Sequence, residues 1–141
     1  MNIYQIVLDT NVLVTGLQSN KGASYQLLSI LNDERFQLNI SPTLIVEYED
    51  VLKRKNENLG LTYKDIDDVI DFICSIANHH QIYYLWRPLS TDPNDDFIID
   101  LALKAQCNYI ISYNKKHLKN IIKLGVDILT PKEFLQLLGK I

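Results

Sequence analysis

The sequence predicts an α/β protein whose mostly parallel sheet is covered by helices on both faces. Two observations predict it. Short apolar runs alternate with amphipathic helical stretches, and several of the runs are apolar throughout rather than at every second residue, as in strands buried on both sides. A length of 141 residues, 47% of them apolar, fits one domain spanning 1–141 whose core needs no disulfide or structural metal. No internal repeat, low-complexity tract or Pro/Gly/Ser-rich linker divides the chain.

Each element follows from a local signal. Ile3 to Leu8 is short and apolar and stops at Asp9, which makes it a buried first strand. A helix over Asn11 to Leu17 is expected to break at Gly16 and the Ser19 to Gly22 stretch, and a second runs from Ala23 to Leu31. Phe36 to Ile40 is the next strand. In "SPTLIVEYEDVLKRK" Ser41 caps a helix and Pro42 suits its first position, where a missing N–H costs nothing. Leu44, Ile45, Tyr48, Val51 and Leu52 form its apolar stripe.

Thr62 caps a further helix, in which Ile66, Val69, Ile70, Ile73 and Ile76 recur at helical spacing with aspartates on the opposite side. Gln81 to Trp86, β-branched and aromatic, predicts a strand. "TDPNDDFIIDLALKAQ" predicts a helix entered through Asp92 and Pro93, and "CNYIIS" a buried strand ending at Ser112. Val126 to Leu129 supplies the last strand, and Pro131 opens a C-terminal helix.

Composition excludes several classes of function. A formal net charge of −3 gives no global basic field, so any nucleic-acid site must be local. No apolar run approaches the roughly 18 residues of a membrane span, and no signal-peptide pattern opens the chain, so a cytoplasmic protein is expected. Cys74 and Cys107 sit in apolar surroundings with no CxxC partner, as inert core thiols of a reducing compartment do. His79, His80 and His117 lack metal-ligand spacing, and no glycine-rich phosphate loop or serine elbow is present.

The acids are more informative. In an open parallel sheet ligands bind beyond the carboxyl ends of the strands, and Asp9, "TDPNDD" and "SYNKKH" all follow predicted strands. Asp9 alone reads as a helix cap. Glu47 lies at the edge of its helix's apolar stripe, whereas Asp50 points further toward solvent. Asp92 is the best cap for its helix and Asp95 stands in the reciprocal position of a capping box, but Asp95 and Asp96 together crowd more charge than capping requires, and a divalent cation would relieve it. Asp65, Asp67, Asp68 and Asp71, on the polar side of a clean amphipathic helix, read as solvated surface.

"VLDTNVLV", "SPTLIVEYEDVLKR", "DPNDDFIIDLAL" and "YIISYNKKHL", in this order and spacing, resemble the PIN domain nucleases, and in particular the VapC-related toxin components of toxin–antitoxin systems. The resemblance covers essentially the whole chain and implies a three-layer α/β/α sandwich. It implies that Asp9, Glu47 and Asp95, with Asp96 as the alternative third acid, hold Mg²⁺ or Mn²⁺ for the cleavage of RNA. Such an ion lowers the pKa of a bound water and neutralises charge on the phosphate; the products implied are a 5′ phosphate and a 3′ hydroxyl. Asn11 and Ser112 are expected to orient waters of the metal.

Where many members place a fourth acid this chain has Asn114, which is counted with the catalytic set but holds a second metal less firmly. It also motivates the alternative reading, a catalytically impaired module that binds nucleic acid or protein. A flavodoxin-like cofactor carrier shares the element pattern but needs a phosphate loop the sequence lacks. Lys115, Lys116 and Lys119, or Lys53, Arg54 and Lys55, can contact phosphates, although lysines also collect at helix ends for dipole and solubility reasons. Tyr113 is either a stacking or a packing residue. An antitoxin partner, received by Leu17, Tyr25 or Leu28, and homodimerisation are implied by the family alone.

Overall fold

A computed structural model of the chain describes residues 3–82 and 96–139, without the side chain of Asp96. In chain order the elements are β1 (Tyr4–Leu8), α1 (Thr10–Gln18), α2 (Ala23–Leu28), β2 (Phe36–Ile40), α3 (Pro42–Arg54), α4 (Asn56–Leu59), α5 (Tyr63–Ile76), β3 (Asn78–His79), α6 (Asp96–Lys104), β4 (Tyr109–Ile111), α7 (Lys115–Leu118), a 3₁₀ turn over Lys119–Leu124, β5 (Asp127–Leu129) and α8 (Pro131–Leu137). The five strands form one sheet in the order β3-β2-β1-β4-β5. Every pairing is parallel, so the predicted α/β sandwich is the fold.

The chain walks outward from β1 through β2 to β3, then returns to lay β4 on the other side of β1. Strand order therefore reverses between β1 and β4, where open α/β sheets leave a crevice at the carboxyl ends. Leu8 pairs with Ile111 at that edge, and Asp9 N–H continues the ladder by donating to the Ile111 carbonyl at 2.9 Å. Asp9 and Ser112 are thus brought side by side by sheet register alone.

Beneath this edge Ile6, Val7, Leu8, Leu38, Ile40, Ile110 and Ile111 are buried, which explains why these strands carry no polar alternation. The helices close the two faces with Val12, Leu13, Leu44, Tyr48, Leu52, Ile66, Ile73 and Phe134. Caps start the helices where the sequence signals them: Ser41 accepts from Leu44 N–H, and Thr62 with Asp65 and Thr130 with Glu133 form reciprocal boxes. Asp65, Asp67, Asp68 and Asp71 are all exposed, as expected of a solvated helix face. No described helix is long and apolar enough to cross a membrane.

Three expectations need correction. The third strand is Asn78–His79, held by pairing with Asn39 and Ile40; of the predicted Gln81 to Trp86 strand, Gln81 and Ile82 are not extended into the sheet, and 83–86 lie outside the described residues. The helix predicted to reach Leu31 ends at Leu28. Gly16 does not break α1, which runs on to Gln18. A Cβ there would stand 2.4 Å from Leu28 Cδ1 and 3.0 Å from the Ser24 carbonyl, so the glycine lets α2 pack closely against α1.

Candidate active site

Asp9 begins α1, and its side chain caps it: Oδ1 accepts from the Thr10 N–H at 2.8 Å. It is also buried, with 4% of its surface exposed, and its other oxygen serves the sheet edge. Oδ2 accepts from the Ser112 hydroxyl at 2.6 Å and from Asn11 Nδ2 at 3.4 Å. The structural and functional roles open to this acid in the sequence are therefore compatible in one side chain.

Glu47 reaches the same place from α3. The Thr10 hydroxyl donates to Glu47 Oε2, so Thr10 touches both acids, one through its backbone and one through its side chain. Glu47 is half-buried and Asp50 exposed, as the helical projection predicts. Next to Glu47, the buried Tyr48 donates its phenolic hydroxyl to the Leu8 carbonyl, which fixes α3 against the end of β1. Neither Thr10 beyond its membership of an Asp-Thr-Asn run nor Tyr48 beyond its apolar stripe announces these contacts in the sequence.

Burial raises the proton affinity of both acids. For Asp9 the loss of water pushes the carboxyl up, and the hydrogen bonds from Ser112 and Thr10 oppose it. For Glu47 burial is again the largest cause, opposed by the Thr10 hydroxyl and reinforced by the negative charge of Asp9. Two desolvated carboxylates feel one another, and Asp9 forms no ion pair with a described residue. Among the described residues, the charge of Arg54 reaches Glu47 and opposes the rise there.

Ser112 also accepts the Asn114 N–H at 2.9 Å, and Asn11 Oδ1 takes the Tyr113 N–H at 3.5 Å. Asn11 and Ser112 thereby tie the loop after β4 to the first turn of α1. The Asn114 side chain is exposed and does not cap α7. Asp95 lies outside the described residues; Asp96 is the first residue of α6, and its side chain is not described. Among the described residues no three His, Cys, Asp or Glu side chains form a metal-holding group. Asp100, on α6 and 7% exposed, is a buried acid that the sequence reading did not single out; an acid four residues after Asp96 inside an apolar helical run was its signal.

The cations are distributed unevenly. Lys115 pairs with Glu133 at 2.5 Å, Lys53 with Glu49 at 2.9 Å and Arg54 with Asp50 at 3.1 Å. Lys116 is exposed and forms no ion pair with a described residue.

Two solved structures share this architecture. VapBC2 from Rickettsia felis, bound to a DNA fragment from their promoter, contains a chain that matches with a TM-score of 0.64 at 15% identity over 89% of this chain and 98% of its own. VapBC-1 from nontypeable Haemophilus influenzae contains one that matches at 0.62 and 17%, over 91% and 98%. At such identities the likeness is one of fold, and no curated protein matches the sequence. The sequence itself supplies the rest: the PIN domain family model matches residues 5–116, a stretch that runs from β1 past Asp9, Glu47 and Ser112 into α7, and this chain belongs to the PIN domain family.

Proposed function

We propose that the protein is an endoribonuclease dependent on Mg²⁺ or Mn²⁺ and the toxin of a toxin–antitoxin pair. The observation that supports this best is the meeting of Asp9 and Glu47, from two different elements, around Thr10 at the switch point of a PIN domain sheet. The donor set fits a hard cation: carboxylate oxygens from two elements, with no soft ligand beside them among the described residues. Asp9 and Glu47 would hold the ion, with Asp95 or Asp96 as third acid. When bound, it supplies a water of lowered pKa and neutralises charge on the scissile phosphate.

The chain's own residues do the remaining work. Ser112 and Asn11 hold Asp9 Oδ2, and the loop they anchor carries Tyr113 and Asn114 past the site. Lys116, like Lys55 and Lys119, is exposed without an ion pair to a described residue and is free to contact phosphate, whereas Lys115, Lys53 and Arg54 must first give up carboxylate partners. The matched neighbours are VapBC complexes, which supports an antitoxin partner here. An apolar cleft of about 300 Å³ lined by Leu13, Leu17, Leu28, Leu31 and Phe72 is the surface such a partner would cover. Homodimerisation and a cytoplasmic location belong to the same reading.

The test is cleavage of labelled single-stranded RNA by the full chain with Mn²⁺, Mg²⁺ or EDTA. Metal-dependent products ending in 5′ phosphate and 3′ hydroxyl are expected. Asp9→Asn and Asp95→Asn should each lose more than the roughly 10- to 100-fold that follows removal of a mere supporting partner. RNA that is bound but left intact at millimolar Mn²⁺ would overturn the enzymatic reading in favour of the impaired module that Asn114 suggests.

A further inference from the structure

Thr10 stands between the two acids, and its two polar groups are divided between them. Its N–H is committed to Asp9 Oδ1 at 2.8 Å, and its hydroxyl to Glu47 Oε2. Asp9 sits on the turn from β1 to α1, while Glu47 is carried by α3. No strand or helix links the two carboxylates directly. The side chain of Glu47 has three rotatable bonds before its carboxyl group and is only half-buried, so packing alone leaves it several rotamers. A hydroxyl that donates to one chosen oxygen selects among them.

We infer that Thr10 is a positioning residue that sets the orientation of Glu47 relative to Asp9 and thereby makes one cation site out of two acids. By donating to Glu47 Oε2 it holds that carboxylate in one orientation, in which it would serve the ion together with Asp9. By occupying Asp9 Oδ1 through the backbone, while Ser112 and Asn11 occupy Oδ2, it fixes the plane of the first carboxylate as well. Partners of this kind orient metal ligands, and their removal costs about 10- to 100-fold in metal affinity. The inference rests on the functional reading for its metal and not for its geometry.

Thr10 is 7% exposed, and its methyl group is a second reason for it to matter. Valine and serine separate the two. Thr10→Val keeps the shape and removes the hydroxyl; Thr10→Ser keeps the hydroxyl and removes the methyl. Mn²⁺ affinity of the full chain, read by electron paramagnetic resonance without RNA, is expected to fall about tenfold or more in Thr10→Val and to stay within about threefold of the parent in Thr10→Ser. In a Glu47→Gln background, Thr10→Val is expected to change Mn²⁺ affinity much less, because the positioned ligand is already gone.

Equal affinity in Thr10→Val and the parent, or an equal loss in the serine and valine variants, overturns the inference. So does a full Thr10→Val effect that survives Glu47→Gln. Should Thr10→Val not fold, the parent protein decides by nuclear magnetic resonance. A Thr10 hydroxyl proton protected from exchange, and lost in Glu47→Ala, is the expected result; its absence from the parent overturns the inference. A parent that binds no Mn²⁺ yet shows that protected proton would refute the metal reading and leave the Thr10 geometry standing.

Discussion

Tyr48→Phe removes one oxygen atom and nothing else, and that makes it the sharpest probe of how α3 is held. Tyr48 is fully buried, and its hydroxyl donates to the carbonyl of Leu8, the last residue of β1. Burial together with the charges of Asp9 and Glu47 pushes the phenol well above its ordinary pKa, so it remains a neutral donor at any working pH. Phenylalanine fills the same volume, and no cavity term enters. What is lost is one buried hydrogen bond, and a carbonyl at the end of β1 loses this donor; the cost is about 1–3 kcal/mol.

For a domain near this size each kcal/mol lowers Tm by about 2–4 °C, so a fall of roughly 2–12 °C is expected by calorimetry. Tyr48→Ala, which also opens a cavity, should cost about 3–5 kcal/mol. Because Glu47 precedes Tyr48, loosening this anchor is also expected to weaken Mn²⁺ binding measurably. A Tm within about 1 °C of the parent would show that the hydroxyl contributes no net stability, against the hydrogen-bond cost assigned above. A clear fall in Tm with unchanged Mn²⁺ affinity would refute the link between this bond and the placement of Glu47.

Other outcomes follow from the same geometry. Asp9→Asn should abolish cleavage while leaving the metal-free protein folded, because it removes a charge that burial disfavours even as one hydrogen-bond acceptor becomes a donor beside Thr10 or Ser112; a variant that still cleaves would refute it. Asp9 and Glu47 both bind a proton more tightly folded than unfolded. Their contribution is therefore full below the ordinary carboxyl range and is lost as pH rises through their raised folded values, so urea midpoints of the metal-free parent should fall across that window by more than those of Asp9→Asn. Gly16→Ala, favourable by about 1 kcal/mol on helix propensity alone, should instead be destabilising by about 1 kcal/mol because of the Leu28 and Ser24 contacts. Cys107, 4% exposed and with burial pushing its thiol up to about 12, should resist a thiol reagent at pH 8 until the chain unfolds, whereas the half-buried Cys74 should react slowly in the native state.

Much of this arrangement was legible in the sequence because it is built from local patterns. Continuous apolar runs located β1, β2, β4 and β5, and strand ends then placed Asp9 and Ser112 on one edge. A helical projection put Glu47 inward and Asp50 outward. What remained hidden depends on partners distant in sequence. β3 has two residues and an unremarkable composition; it is a strand because β2 offers it a ladder at Asn39 and Ile40, whereas the stronger local signal starts at Gln81 and Ile82, which are not in the sheet, and continues into 83–86, outside the described residues. Gly16 reads as a breaker until Leu28 is seen across from it. Thr10 and Tyr48 look like a helix start and a core aromatic, and only the fold reveals that their hydroxyls are spent on Glu47 and on β1.

The same contrast explains why an acid ends an apolar strand. Sheet register obliges the residue after Leu8 to sit at the reversal of strand order, and any side chain there is walled by β4 on one side and α3 on the other. An apolar residue would be the stable choice, and a charged one is destabilising unless its charge is met. Among the described residues, Ser112, Asn11 and Thr10 meet it with hydrogen bonds and none meets it with an ion pair. On the function proposed above, a cation would supply the countercharge that no described residue gives Asp9 by an ion pair, and its binding would stabilise the fold. Raising the Mn²⁺ concentration should accordingly raise Tm in the parent and leave Asp9→Asn nearly unmoved, and equal shifts in the two would mean that the ion binds elsewhere.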